Sequence, residues 1–259
     1  FEKAINGVYV GLTDRALYGR TLSAGIIDFM AQYYTYGSGS DMNSMVGAYR
    51  YEEDEIKAIF QSAWEKAYAL IVNCNIIIEK CDAKREVLSD VYYGLYKGEA
   101  IALRAMLHLD MLRLFGPVYD DASKTEKSIP YVTNSDSEIS PLLSAEEILN
   151  FVIEDLKVAL DLLKSVDPIL TEGVRNESNN DGGDNSLYYR QYRMNYYAVK
   201  ALLARAYAWG HDGRNALIVA EEILREVQVE GAEIFPFVEH SAAVDPSVPD
   251  RMFSPEVLF

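Results

Sequence analysis

The sequence predicts a mainly α-helical fold: an array of rods with tetratricopeptide-type hairpins and long irregular loops. Three observations carry that prediction. Residues 87–116 (VLSDVYYGLYKGEAIALRAMLHLDMLRLFG) read as one long helix, apolar around most of its girth, which needs neighbours on several sides. Apolar residues recur at spacings of three and four in 52–81 and again in 144–165, the period of a helix with a buried face. Residues 192–229 hold a large, small, aromatic, small, small series in tetratricopeptide order. At 259 residues the chain buries a sizeable core, and we read 1–259 as one helical domain.

Residues 1–18 read as a first helix with Ala4, Ile5, Val8, Tyr9 and Leu12 on one face, punctuated by Gly19. Residues 21–33 carry a second apolar stretch around Ile26, Ile27, Phe29 and Met30. Residues 33–51 (YYTYGSGSDMNSMVGAYRY) are rich in glycine and serine with little periodicity, the composition of a loop. Tyr33, Tyr34, Tyr36, Tyr49 and Tyr51 flank or sit in it, beside Asp41, Asn43 and Arg50. Two readings of these aromatics stay open: they bind a ligand, or they pin the loop to the body of the protein.

The acidic run at 52–55 suits a helix N-terminus and reads as a solvated first turn. The helix it opens extends to about Cys81, with Phe60, Ala63, Trp64, Ala67, Ile71, Cys74 and Ile78 as its core stripe. Asn73 and Asn75 within it need partners wherever they are buried. In the central helix Leu103, Leu107, Met111 and Leu114 recur at helical spacing. Alanine at position 98 would favour that helix by roughly 1 kcal/mol, so Gly98 marks a close approach of another element. Gly116-Pro117 ends the helix, with Gly116 expected in a left-handed cap.

Residues 118–143 read as a long irregular connection. Ser144 with Glu147 then forms a capping box, and Leu143 with Ile148 a hydrophobic staple. The helix they open runs to about residue 165 through Ile148, Phe151, Val152, Leu156, Leu160 and Leu163. The polar stretch 171–186 (TEGVRNESNNDGGDNS) is a surface loop. Counted from Glu177 it has the early oxygen donors and glycine of a calcium loop, but Tyr188 stands where the final glutamate belongs, so no metal is assigned. Residues 192–209 and 214–229 form the last helical pair, joined by Gly210-His211-Asp212-Gly213. In it Leu203, Ala204, Tyr207, Ala216 and Ala220 make the tetratricopeptide series, small residues allowing close approach and Tyr207 filling the gap beside them.

Composition narrows function. A net charge of −16 argues against a nucleic-acid partner and against adsorption to anionic lipid. Tyrosine is the outlier, at 19 residues against 9 Phe and 2 Trp, which fits either a carbohydrate or peptide surface or helix packing with wet hydroxyl ends. Cys74 and Cys81 lie seven apart on one helix, about 10 Å along its axis, and read as buried thiols. The three histidines are scattered, and His108 reads as a core residue near Arg104 or Asp110. Asp110 and Arg113 share a helix face and pair there. The chain carries no HExxH, CxxC, P-loop, GxGxxG or GxSxG pattern, so we expect no enzyme, no cofactor and no metal centre.

Residues 98–118 (GEAIALRAMLHLDMLRLFGPV) resemble a signature of SusD/RagB-type outer-membrane nutrient-binding lipoproteins. It comprises a Gly-Glu-Ala opening, Leu-Arg-Ala, an Asp followed by Leu112-Arg113, and Phe-Gly-x-Val. Trp64, Tyr68, Ile71 and Asn75 match the preceding helix of that family; 198–207, RMFSPEVLF and AINGVYVGLTDRALYGR resemble further segments in order. The resemblance implies a binder rather than an enzyme, with helical hairpins on one side and irregular ligand-bearing segments on the other. It implies a cell-surface protein of Bacteroidetes-type bacteria that hands an oligosaccharide or other polymer fragment to a SusC-like TonB-dependent transporter. Membrane contact would come only through an N-terminal lipid anchor. The start at Phe1 and the apolar stop SPEVLF read as cut ends, with a leader and a C-terminal continuation expected beyond them.

No ligand-contact motif of that family maps onto this chain, so the expected site comes from chemistry. Sugars are held by aromatic faces and by amide, carboxylate and guanidinium groups. Tyr34, Tyr36, Tyr49 and Tyr51, with Asp41, Asn43 and Arg50, supply that set. The alternative is a helical-repeat scaffold that binds a protein partner and no small ligand.

Overall fold

Helix α5 (Asp90–Phe115) is buried at 17 of its 26 positions, so other elements must wrap it. The computed structural model describes residues 1–35, 39, 41–136, 138–175, 185–229 and 232–259. It packs α4 (Asp54–Ala83) and α6 (Ala145–Leu163) against this rod. The rod starts later than residue 87, because Arg85–Val87 form a 3-10 turn and Ser89 caps the helix by accepting the Tyr92 N–H. Gly116 ends it without the expected left-handed turn, at φ −85° and ψ 172°. Pro117 is the reason, since a residue before proline is pushed to extended backbone. Gly98 meets its expected neighbour: a Cβ there would stand 2.9 Å from Leu163 Cγ. At Gly94 it would stand 2.8 Å from the Leu162 carbonyl oxygen, so α6 crosses α5 at these two glycines.

Before the rod come α1 (Glu2–Leu12), which lies on α4, then α2 (Ile26–Met30) and α3 (Met42–Gly47). The first helix stops at Leu12 rather than residue 18. Thr13 Oγ donates to the Val10 carbonyl and Asp14 accepts the Ala16 N–H at 2.9 Å, side-chain bonds that compete with the helical ladder. The 33–51 loop contains α3, because Asp41 caps it by accepting the Asn43 and Ser44 N–H groups. The connection after α5 holds a two-stranded antiparallel ladder, β1 (Lys127–Pro130) with β2 (Leu142–Ser144), in which Ile129 faces Leu143. Both halves of the Ser144–Glu147 capping box are formed.

After α7 (Ile169–Glu172), helices α8 (Tyr196–Trp209) and α9 (Gly213–Val227) form the last hairpin. The helix begins at Tyr196, not 192, because Asn195 accepts the Ala198 N–H as its cap and Arg190–Tyr192 form a 3-10 turn. Of its small residues Ala206 is fully buried, while Ala204 and, on α9, Ala216 and Ala220 are half-buried. Short strands β3 (Gln228–Val229) and β4 (Ala232–Glu233) and a turn of helix, α10 (His240–Ala243), follow. Among the described residues no helix is long and apolar enough to cross a membrane.

Two polar networks lock this array. Arg104 grips Asp155 through paired bonds of 2.9 and 2.8 Å and reaches Asn75 at 2.8 Å. Asn75 in turn donates to the carbonyls of Val132 and Asn134. Thus the buried asparagine of α4 has its partners, and Asn73 sits in solvent. In the second network Arg190 is clasped between Asp167 and Glu99, all three side chains 2% exposed or less. Many tyrosines act as helix-packing rings with polar tips: Tyr9 donates to Glu99, Tyr18 to Asp110, Tyr68 to the Pro130 carbonyl and Tyr131 to Asp155. Cys74 and Cys81 are buried free thiols, and burial pushes the first up to about 12.

Candidate functional site

The candidate site is the corner built from α2, α3 and the start of α4. Ile26, Met45, Val46 and Ile56 form a small core of their own there, with Phe29, Met42 and Phe60 packed around it. Tyr51 packs on this core and is half-buried, whereas Tyr33, Tyr34 and Tyr49 stand outward. Tyr34 is 56% exposed, with its ring tilted against Phe29 at 5.5 Å. Tyr49 is 62% exposed and meets Tyr51 edge-on at 6.0 Å, and Tyr51 meets Phe60 in the same way. The Gln32 amide donates to the Gly47 carbonyl at 2.9 Å and ties the two sides of the corner together.

The polar members of the expected set divide. Arg50 lies beside Tyr49 and Tyr51 in sequence and pairs with Glu53, Nε to carboxylate, at 3.1 Å. Asp41 caps α3 and also accepts the Ser44 hydroxyl at 2.6 Å; these bonds, the hydroxyl's first, hold its carboxyl below the usual range. Asn43 follows it, with a buried side-chain oxygen that has no partner among the described residues. A buried acceptor left open calls for a donor from water or ligand. Tyr36 lies outside the described residues, as does most of the calcium-like stretch 171–186.

Sequence reasoning missed the cleft beside this corner. It holds about 450 Å³ between the segment after α1 and the start of α4, with Phe29, Met42 and Ile59 on its apolar side. Arg15, Arg20 and Ser62 supply its polar side. The signal was present in the two arginines flanking Leu17-Tyr18-Gly19, but nothing in their spacing placed them opposite α4. The arrangement is suited to binding: flat rings and aliphatic surface beside hydroxyl and guanidinium donors. A chain of ring contacts runs inward from it, Tyr51–Phe60–Phe115–Trp64–Tyr68–His108.

His108 is a core residue, as its setting in the helix predicts. Its Nε2 accepts the Val132 N–H at 3.0 Å, which assigns the proton to Nδ1, donating to the Arg104 carbonyl at 3.0 Å. Burial, then the Arg104 guanidinium, pushes its pKa down to about 3, so the ring stays neutral and has both nitrogens engaged. Among the described residues there is no group of three or more His, Cys, Asp or Glu side chains placed to hold a metal ion.

Comparison with known proteins bears on family and fold. A SusD-like family model, described as "Starch-binding associating with outer membrane", matches residues 1–171. SusD-like protein P38 of Formosa agariphila is 35% identical over 99 residues, covering 37% of this chain and 17% of that protein. A SusD superfamily protein from Bacteroides vulgatus superposes with a TM-score of 0.67 at 21% identity, over 94% of this chain and 49% of that one. Another, from Bacteroides thetaiotaomicron, gives 0.65 at 20% identity over 86% and 45%. A protein described as a putative sugar binding protein of B. vulgatus gives 0.63 at 22% identity over 89% and 46%. At these identities the structural likenesses show the fold. The chain spans less than half the length of each of these relatives.

Proposed function

The chain belongs to the SusD-like family, and from that premise we propose that it captures an oligosaccharide at the outer surface of the outer membrane. In this reading it passes the ligand to a SusC-like TonB-dependent transporter and performs no bond chemistry of its own. The observation that carries the saccharide reading is the aromatic corner, where Tyr34, Tyr49 and Arg50 stand exposed around a core of their own. Pyranose rings present apolar C–H faces and hydroxyl edges, and the corner offers rings for the first and Arg50, Asn43 and the cleft arginines for the second. Tyr51 extends the aromatic set, the sequence adds Tyr36 as a further candidate, and Asp41 keeps α3 in place beneath it.

Calorimetry with malto-, cello- and xylo-oligosaccharides tests this on wild type and a Tyr34→Ala/Tyr36→Ala/Tyr49→Ala variant. Stacking contacts are worth about 0.5–1.5 kcal/mol each, so the triple variant should weaken binding by at least about tenfold. Unchanged affinity ends the corner assignment. Co-purification with a barrel transporter encoded beside this chain tests the handoff.

A scaffold reading, in which a protein partner is the cargo, has one observation in its favour. On α9 the apolar arc is wider than α8 covers, leaving Leu217 59% and Leu224 63% exposed. Loss of partner binding in Leu217→Ser/Leu224→Ser, with saccharide binding absent throughout, would favour it.

A further inference from the structure

We propose that a second saccharide site lies in the cleft between α6 and the α8–α9 turn. The inference rests on the reading that the ligand is a saccharide, and it shares no residue with the aromatic corner. The cleft encloses about 430 Å³, inside the range of about 300–1,000 Å³ typical of small-molecule sites. One stripe of α6 makes its floor, Leu149 and Ile153 giving an apolar base beside Asn150, Glu154 and Lys157. The facing wall comes from Tyr207 on α8 and from Asp212 and Asn215 at the start of α9. Tyr119 completes the lining, its ring held against Trp209 at 4.9 Å and edge-on to His211 at 6.0 Å.

The walls are fixed. A Cβ on Gly210 would come within 2.4 Å of Leu149 Cδ2, so the turn sits directly on the floor helix. Asp212 caps α9 and accepts the Asn215 side-chain amide at 2.6 Å, orienting that pair before any ligand arrives. Sites on rigid elements hold geometry better than sites on loops.

The fold leaves part of this chemistry open, at Asn150 and at the exposed Lys157–Glu154 pair. Asn150 is exposed, and its side chain has no partner among the described residues. Lys157 pairs with Glu154 at 2.9 Å, but the two are 49% and 68% exposed, a surface pair that a ligand displaces at little cost. Donors (Asn150, Lys157, Asn215) and acceptors (Glu154, Asp212) therefore alternate around one apolar floor. A hydroxyl both gives and accepts a hydrogen bond, so a polyol satisfies such a lining. A wholly apolar ligand would leave these groups unpaired. Two carboxylates against one ammonium disfavour anions, so the structure selects a neutral sugar, with Tyr119 and Tyr207 for its C–H faces.

The test is calorimetric stoichiometry with maltohexaose, cellohexaose and xylohexaose, followed by NMR of the side-chain amides. It uses wild type, the tyrosine triple variant, Asn150→Leu/Lys157→Met, and the combination. Position 150 and 157 side chains are exposed, so their replacement leaves the fold intact. The expected result is two sites per chain for at least one hexaose, with movement of the Asn150 and Asn215 amide signals. Asn150→Leu/Lys157→Met should remove one site or weaken it at least about tenfold, and the combination should remove both. A single site abolished by the tyrosine variant alone overturns the proposal, as does binding that leaves both amides unmoved. Loss in Asn150→Leu/Lys157→Met with none in the tyrosine variant upholds the cleft and removes the corner. No binding of any hexaose overturns both.

Discussion

Arg190→Met removes a cation held between two buried carboxylates. Methionine replaces much of the aliphatic stem, so packing changes little and the electrostatic loss stands out. The guanidinium donates to Asp167 at 2.9 and 3.0 Å and to Glu99; burial works against its charge, and the two carboxylates outweigh that and keep it protonated. Without it, Asp167 keeps, among the described residues, only the backbone N–H groups of Ile169 at 3.2 Å and Tyr196 at 3.0 Å. Glu99 keeps the Tyr9 hydroxyl at 2.5 Å and Arg193 at 3.7 Å. Stranding a charge in this way costs about 3–5 kcal/mol. At about 2–4 °C per kcal/mol for a large domain, Tm should fall by about 6–20 °C. Urea unfolding followed by circular dichroism at pH 7 measures the difference, and it should persist in 1 M salt because the pair is buried. Arg190→Lys keeps the charge but not the fork and should fall between. A methionine variant within about 1 kcal/mol of wild type would refute the assignment of this cluster as a keystone of the fold.

Two further outcomes follow from the packing. Gly94→Ala gains roughly 1 kcal/mol of helix propensity but drives a methyl against the Leu162 carbonyl at 2.8 Å and Val166 Cγ2 at 2.7 Å. Overpacking costs about 1–3 kcal/mol, so a net loss of urea midpoint is expected, and a stabilised variant would show that α5 and α6 are not in fixed contact there. His108, with its pKa lowered to about 3, takes up its proton in the unfolded chain first, so its contribution is complete above about pH 6.5 and is lost as pH falls toward 3. Between pH 7.5 and pH 5 it should cost about 2 kcal/mol, and His108→Gln should flatten that part of the stability profile by the same amount. An unchanged slope would mean that the imidazole is not buried neutral.

What the chain announces in advance is what neighbouring residues decide together. The capping box at Ser144 and Glu147 spans three positions, and the stripe of α4 repeats every three or four, so both are readable without coordinates. Gly98 betrays a close approach because its cost in a helix demands a reason. Helix ends were less legible. Thr13 and Asp14 divert the backbone of α1, and Pro117 sets Gly116 extended, each by a local competition that apolar spacing does not register. The corner was visible as tyrosines in a glycine- and serine-rich stretch, yet α3 hid inside it behind an Asp41 cap that the same stretch displays. Contacts across the chain left no trace: Arg190 and Glu99 are 91 positions apart, and no pattern in either segment names the other. The cleft arginines, and the meeting of α6 with the α8–α9 turn, belong to that class.

The separate little core beneath the tyrosine corner gives it a free energy of opening all its own. Ile26, Met45, Val46 and Ile56 share no cluster with the residues that seal the central rod, so disengaging them exposes one small cluster and the side chains packed on it rather than a whole interior. Sub-global excursions of this size sit at the low end of a protein's stability spectrum. Amide protons of 42–47 should therefore exchange with solvent far sooner than those of 100–112. Under the saccharide reading proposed above, a rim that breathes in this way reshapes itself around ligands of different contour while the scaffold beneath stays shut.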